Sequence, residues 1–570
     1  MNIINKIFLK LTLLPSGFYR RMGVDVSQLK SILQLKLTMD DRRPGTLQQT
    51  RKRKSKKPIS LATLGTMFMS VLLGLLYLMS FLIGHDMVTQ LTVYFSLFFF
   101  MLSATLISDF TSVLIDIRDN YIILPKPMRD STFIMARFLH IFIHICKIVV
   151  PMWLPGFIAM ISKSGWAGAL IFSLLVLLVT LLAIFFINAV YILILRITTP
   201  QKFQAVISYI QIVFAIVIYA SYQIFPRMMD RMNLQDFDIS TKKGIAFYPI
   251  YWFAQGWNVI FTLHGSTLQC ILAFLGLVTP FICLYVVIAY LAPSFNNKLA
   301  MINSSASATE QKETKTIRIQ KRSYADFLSG IFTRGFAEKM GFVFTWKMTS
   351  RSRDFKMKVY PSIGYLMVYV VFMFFNNKHL RLEDIASQQN SGRIIVLSAL
   401  YFTSLLLTMA LTQAVYSDKY KASWIYYVSP IKNPGEVILG GAKAAIFKFY
   451  IPLVVFITVV GVTLAGPSIL PNIVLGLFNE LLIATILVYI GNKMFPFSMH
   501  QDTGMRAGSF LRSMALLFIS VLIAFGHYLI YTVMPAVIIC SILSIIATWY
   551  MMSSIRNISW EAIRSSYREE

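Results

Sequence analysis

The sequence predicts an all-α integral membrane protein, and three observations carry that prediction. Mean hydropathy is +0.65. Charged residues make up only 14% of the chain, where soluble proteins run near a quarter. About a dozen apolar stretches are long enough to cross a bilayer, which takes about 20 residues of helix. One soluble core does not grow to 570 residues of this composition, whereas lipid can replace a core as the apolar surrounding.

The candidate spans of the first half are Leu61–Gly84, Met87–Leu114, Phe138–Ile161, Ala167–Leu195, Ala205–Phe225 and Leu268–Ala292. Those of the second are Tyr360–Phe375, Ile394–Val415, Val437–Leu464, Ile473–Gly491, Phe510–Ile530 and Val533–Met552. The expected architecture is therefore about twelve transmembrane helices as two parallel six-helix repeats, with cytoplasmic amphipathic helices added. The chain divides into a basic N-terminal segment with an amphipathic helix (1–58) and a first transmembrane half (59–292). A cytoplasmic linker with amphipathic helices (293–358), a second transmembrane half (359–553) and a short tail (554–570) complete it.

Matched residues recur at an offset of roughly three hundred, as an internal duplication requires. Lys36-Leu37-Thr38 answers to Lys347-Met348-Thr349, Pro127 to Pro430, Lys147 to Lys448 and Pro151 to Pro452. The loops IRDNYIILPKPMRDSTFIMAR and DKYKASWIYYVSPIKNPGEVILGGAK share one grammar: charges, then Tyr and aliphatics, a proline, a base within two residues, and a long apolar helix.

Basic residues beside spans stay cytoplasmic. They collect in RKRKSKK from Arg51, in the loops holding Lys126, Arg129, Arg196 and Lys202, in the centre, and in the tail with Arg556, Arg564 and Arg568. An even helix count then puts both termini in the cytoplasm. A net charge of +28 distributed this way points to anionic headgroups and not to nucleic acid. The opposite face holds short turns and two longer loops, one with the aromatic run FYPIYWF from Phe247, expected to lie along the membrane interface. The stretches SQLKSILQLKLTMDDRR and FLSGIFTRGFAEKMGFVFTWKMTSRSRDFKMK read as surface amphipathic helices preceding each half.

Chemistry-bearing motifs are sparse. No phosphate-binding loop occurs, so the chain does not cradle ATP in the usual way. His140 and His144 sit at metal-ligand spacing; no Asp or Glu lies within a turn of them, Cys146 falls on another face of the helix, and no metal is assigned. The four cysteines lie singly in apolar segments. Arg137, His140, His144 and Lys147 form one basic helical stripe, which either snorkels to headgroups or lines an aqueous pathway. Asp109, Asn188, Gln211, Asn479 and Glu480 are the other polar groups inside apolar runs, and Glu480 is placed to pair with Lys448 or Lys147.

The six-plus-six layout and the two basic, proline-containing loops resemble permeases of the ABC-2 type, bacterial ATP-binding-cassette exporters. The resemblance implies a transport subunit of the cytoplasmic (inner) membrane, not itself an enzyme. It holds no cofactor of its own, ATP and Mg being bound by partner ATPase subunits at the cytoplasmic face; membrane lipids and further membrane subunits complete the implied partners. It further implies that the loops hold short coupling helices, carried here by Pro125, Pro127 and Arg129 and by Tyr427, Pro430 and Lys432. His144, Lys147, Lys448 and Glu480 are the expected pathway or intramembrane pairing residues. Two alternatives stand beside this: an ion-coupled secondary transporter or lipid flippase using Lys147, Lys448 and Glu480, and a membrane-embedded lipid-modifying transferase.

Overall fold

The computed structural model describes residues 3–42, 62–113, 129–198, 200–231, 238–241, 244–287, 289, 324–376, 390–417, 419–490, 493–500 and 507–568. Helices account for 88% of it and no strand occurs among the described residues. Eight helical stretches there are long and apolar enough to cross a membrane. One of them, Ser131–Ile194, is 64 residues long, roughly three bilayer thicknesses at about 1.5 Å per residue. Gly165, at φ 68°, breaks it into two. The expected spans Ala205–Phe225, Tyr360–Phe375 and Phe510–Ile530 lie in the helices Pro200–Arg231, Arg353–Asn376 and Ala507–Ile530, which are not among the eight found over the described residues. This is a multi-pass membrane protein of α-helices.

The chain forms two compact units: Met1–Gln48, Arg53–Ile207 and Phe225–Thr314 make one; Gln49–Lys52, Ser208–Ile224 and Lys315–Glu570 the other. In the first, α1 (Ile3–Leu13), α2 (Ser16–Arg21) and α3 (Val26–Arg42) precede α4 (Ala62–Tyr77), α5 (Met87–Val113) and the long α6 (Asp130–Ile197). Helix α3 carries Leu29, Leu33 and Leu37 four residues apart, one helical stripe, and all three are fully buried against Ala136, Leu139 and Ile143 of α6. The turn before it is stitched to the start of α6: Ser131 Oγ donates to the Gly23 carbonyl at 3.1 Å and the Asp25 N–H to Thr132 Oγ1 at 3.1 Å. Asp25 caps α3 by accepting from the Ser27 and Gln28 amides at 2.9 and 3.2 Å.

After α7 (Pro200–Arg231), the aromatic run begins with Phe247 and Tyr248 exposed. It forms α8 (Pro249–Thr262), with Ile250, Tyr251, Phe253 and Trp257 buried, followed by α9 (Thr267–Val286). The two indole N–H groups of α8 find backbone acceptors inside the protein. Trp257 Nε1 donates to the Gly168 carbonyl at 3.0 Å, and Trp252 Nε1 to that of Ala246 at 2.6 Å.

The second unit begins with α10 (Tyr324–Phe332), α11 (Phe336–Arg351) and α12 (Arg353–Asn376). Then come α13 (Asn390–Gln413), the five-residue α14 (Trp424–Val428) and α15 (Pro434–Ala445), which passes through a π-helical turn, Ile446–Tyr450, into α16 (Ile451–Ala465). Helices α17 (Leu470–Ile490), α18 (Ala507–Ile530), α19 (Met534–Arg556) and α20 (Trp560–Arg568) complete it. Helix α11 docks on α15 backbone to backbone: a Cβ at Gly440 would run into the Glu338 carbonyl and one at Gly341 into that of Val437. Helix α19 is polar inside and apolar outside. Ser541, Ser544 and Thr548 are buried, while Ile538, Ile539, Ile542, Leu543 and Ile546 are exposed, the pattern lipid selects.

Candidate functional site in the second unit

The richest chemistry in the molecule is a buried polar network inside the second unit's helices. Helix α17 brings Asn472, Asn479 and Glu480 to one face, since seven residues are close to two helical turns. Helix α13 adds Tyr401, α18 adds His527, and α19 adds Ser544 and Thr548. The walls are apolar: Leu400, Leu407, Val454, Leu481 and Ala484 belong to the same buried cluster.

The hydrogen bonds run in one direction. Ser544 Oγ donates to Asn479 Oδ1 at 2.6 Å, and Asn479 Nδ2 donates to the Tyr401 hydroxyl at 2.9 Å. Tyr401 stands 3.1 Å from His527 Nδ1, and His527 Nε2 stands 3.2 Å from Asn472 Oδ1. Asn472 Nδ2 closes the chain on the Tyr531 carbonyl at 3.3 Å. An amide oxygen can only accept, so Nε2–H donates to Asn472, while Nδ1 and the Tyr401 hydroxyl share the next hydrogen bond.

Glu480 departs from this order. It is 1% exposed, its Oε1 has no hydrogen-bond partner, and it forms no ion pair among the described residues. Tyr401 and Tyr450 both lie within electrostatic reach of its carboxyl. A charged carboxylate at such a depth costs about 3 kcal/mol on insertion scales unless water or a partner compensates it. The partner expected from the sequence is engaged elsewhere. Lys448 Nζ reaches the Trp346 carbonyl at 2.9 Å, Thr349 Oγ1 at 2.7 Å and Ser350 Oγ at 2.6 Å, closing the last turn of α11. In place of an intramembrane ion pair with Glu480, Lys448 therefore makes a helix cap.

In the first unit the basic stripe of α6 meets an acid from a helix a hundred residues earlier in the chain. Asp40, at the end of α3, lies 2.6 Å from His140 Nε2. Burial on its own raises the Asp40 pKa, but the His140 hydrogen bond and the charges of His140, Lys147 and His144 outweigh it, and the carboxyl sits below its usual range. Lys147 is 6% exposed. Arg129 is exposed, with Nη1 3.4 Å from the Gly23 carbonyl. Pro125 and Pro127 lie outside the described residues.

The second loop is described but for Asp418. It contains α14, whose Trp424, Ile425 and Val428 are exposed. Behind them Tyr426 stacks on Phe495 at 4.6 Å, and Tyr427 lies 5.8 Å from Trp560 and 5.9 Å from Phe495. Pro430 and Lys432 are exposed beside it. No protein family, curated protein or solved structure matches this chain. The functional reading therefore rests on this geometry.

Sequence reasoning found Asn479 and Glu480 but missed Tyr401, Asn472 and His527. One signal was present: Ser541, Ser544 and Thr548 at spacings of three and four mark a polar stripe on an otherwise apolar helix. Asn188 proves local, donating to the Ile184 carbonyl of its own helix at 2.8 Å.

Proposed function

We propose that this chain is the membrane-spanning subunit of an exporter of the bacterial cytoplasmic membrane, with both termini cytoplasmic, driven by separate ATP-binding-cassette ATPase subunits. The observation that carries the reading is α14. It is a short helix with an exposed apolar face, Trp424, Ile425 and Val428, backed by the Tyr426–Phe495 stack. Past Pro430 the chain enters α15 at Pro434, and α15 is locked to α11 at Gly440. A push on such a proline-bounded element passes to the span it is joined to, where a flexible loop would absorb it.

Further support comes from the parallel between the units. Lys147 lies within reach of Asp40 at the end of α3, and Lys448 caps the end of α11. These are the two lysines, and the two helices ahead of them, that the proposed duplication would pair. The substrate moves by alternating access of two halves. An ion-coupled transporter is the second reading, and the observation favouring it is the unpartnered Glu480.

The test is co-purification of the detergent-solubilised chain with candidate ATP-binding-cassette ATPases of the same genome, comparing wild type with Trp424→Asp/Val428→Asp and with Pro430→Ala/Lys432→Glu. Wild type recruits an ATPase and stimulates its hydrolysis, and the α14 variant loses at least about tenfold in affinity, the weight of two buried apolar anchors. If wild type recruits none, the ATPase-driven reading fails.

A further inference from the structure

We propose that Glu480 is a reversible proton-binding site in the membrane interior, and that the Tyr401 hydroxyl, shared with His527, responds to its change of charge. The proposal rests on neither the ATPase-driven nor the ion-coupled reading, because the site lies wholly within this chain. Three observations carry it. Glu480 is 1% exposed with an orphaned Oε1. The Tyr401 hydroxyl already accepts from Asn479, the neighbour of Glu480 on α17, so its own proton is free to turn away from His527. His527 Nδ1 is titratable and 3.1 Å away.

The exchange balances as follows. In one state Glu480 is a neutral acid and Tyr401 donates to neutral His527. In the other, Glu480 has given its proton to water and the Tyr401 O–H turns from His527 to the carboxylate. The two states differ by one proton, so the balance between them depends on pH, and the carboxylate's charge is met by the Tyr401 hydroxyl.

The groups facing the site from other helices permit this. Tyr450, from the π-helical turn, has its hydroxyl 3.3 Å from the Leu477 carbonyl, a long bond that can yield to the carboxylate. Helix α19 brings the hydroxyls of Ser544 and Thr548. Tyr531 and Arg393, 5.8 Å from its ring, stand at the far end beyond Asn472. Lys448 is held on α11.

Reaction with a hydrophobic carbodiimide, which modifies protonated carboxyls in apolar surroundings, reads the site directly by mass spectrometry of purified, lipid-reconstituted protein. Between about pH 5 and about pH 9, wild type gives an adduct on the peptide holding Glu480 that fades as pH rises, and Glu480→Gln gives none. Tyr401→Phe and His527→Gln each move the midpoint by about one pH unit or more, a tenfold change in proton affinity. These two variants keep Glu480, so they decide the matter even if Glu480→Gln fails to fold. No adduct in wild type at any pH, or a midpoint unmoved in both variants, overturns the proposal.

Discussion

Glu338 Oε1 lies 2.6 Å from Lys443 Nζ, and its other oxygen lies 3.0 Å from Arg556 Nη2. Three helices, α11, α15 and α19, thus meet at one carboxylate whose side chain is 1% exposed. Removing one member of a buried ion cluster strands the others, at about 3–5 kcal/mol. Glu338→Ala is accordingly expected to be strongly destabilising in detergent, by that order, and Glu338→Gln less so because the amide oxygen still accepts. Thermal unfolding of the solubilised protein checks both. A melting temperature unchanged in Glu338→Ala would mean that the cluster does not hold these helices.

The contact of Asp40 with His140 carries a pH dependence. Because the Asp40 carboxyl is held below its usual range in the folded protein, its contribution is fully present above the unfolded value, about 3.9. It is lost as pH falls through the lower folded value. Asp40→Asn is expected to loosen α3 at neutral pH and to flatten the acid limb of the stability profile. Protease cleavage between α3 and α4, followed from neutral to acid pH, measures this; equal acid sensitivity in variant and wild type would place the titrating group elsewhere.

The fold class was legible because lipid imposes it: long apolar helices, basic flanks and the polar-in, apolar-out stripe of α19 are all local in sequence. The site was legible only in part. Tyr401 meets Asn479 across 78 residues and His527 across 126, and Asp40 meets His140 across 100. Such pairings depend on which helices become neighbours, which no single helix records. The same limit explains the misplaced partner of Glu480: Lys448 looked unpaired because its acceptors, backbone carbonyl and hydroxyls at the end of α11, leave no charge signature. The buried α8 was hidden for another reason. Its Trp and Tyr residues suit both a headgroup belt and a protein interior that satisfies their N–H groups, and composition does not separate the two.

Lys448 closes three acceptors at the end of α11, and the orphan carbonyls of a helix C-terminus favour a cation there. Lys448→Met keeps much of the side chain's length and removes the ammonium. It is expected to fray the last turn of α11, raising amide hydrogen exchange for residues 346–351 while leaving α15 protected, with a stability loss of about 1–3 kcal/mol. Exchange mapped by mass spectrometry decides it. Protection unchanged at that turn would show that the hydroxyls and carbonyl find other donors once the lysine is gone.

The backbone approach at Gly440 makes the sharpest claim about packing, because it comes with an internal control. A methyl group at Gly440 meets the Glu338 carbonyl and the Phe342 amide, both rigid backbone, so α11 must move away from α15 to admit it. Overpacking of this kind costs about 1–3 kcal/mol and would also stretch the Glu338–Lys443 bond. Gly330, in α10, has open space where a Cβ would be added. Alanine there gains helix propensity of up to about 1 kcal/mol. Gly440→Ala is therefore expected to lower the melting temperature and Gly330→Ala to hold or raise it. If both variants melt together with wild type, α11 and α15 are not in backbone contact, and the coupling path from α14 into the spans loses its rigid support.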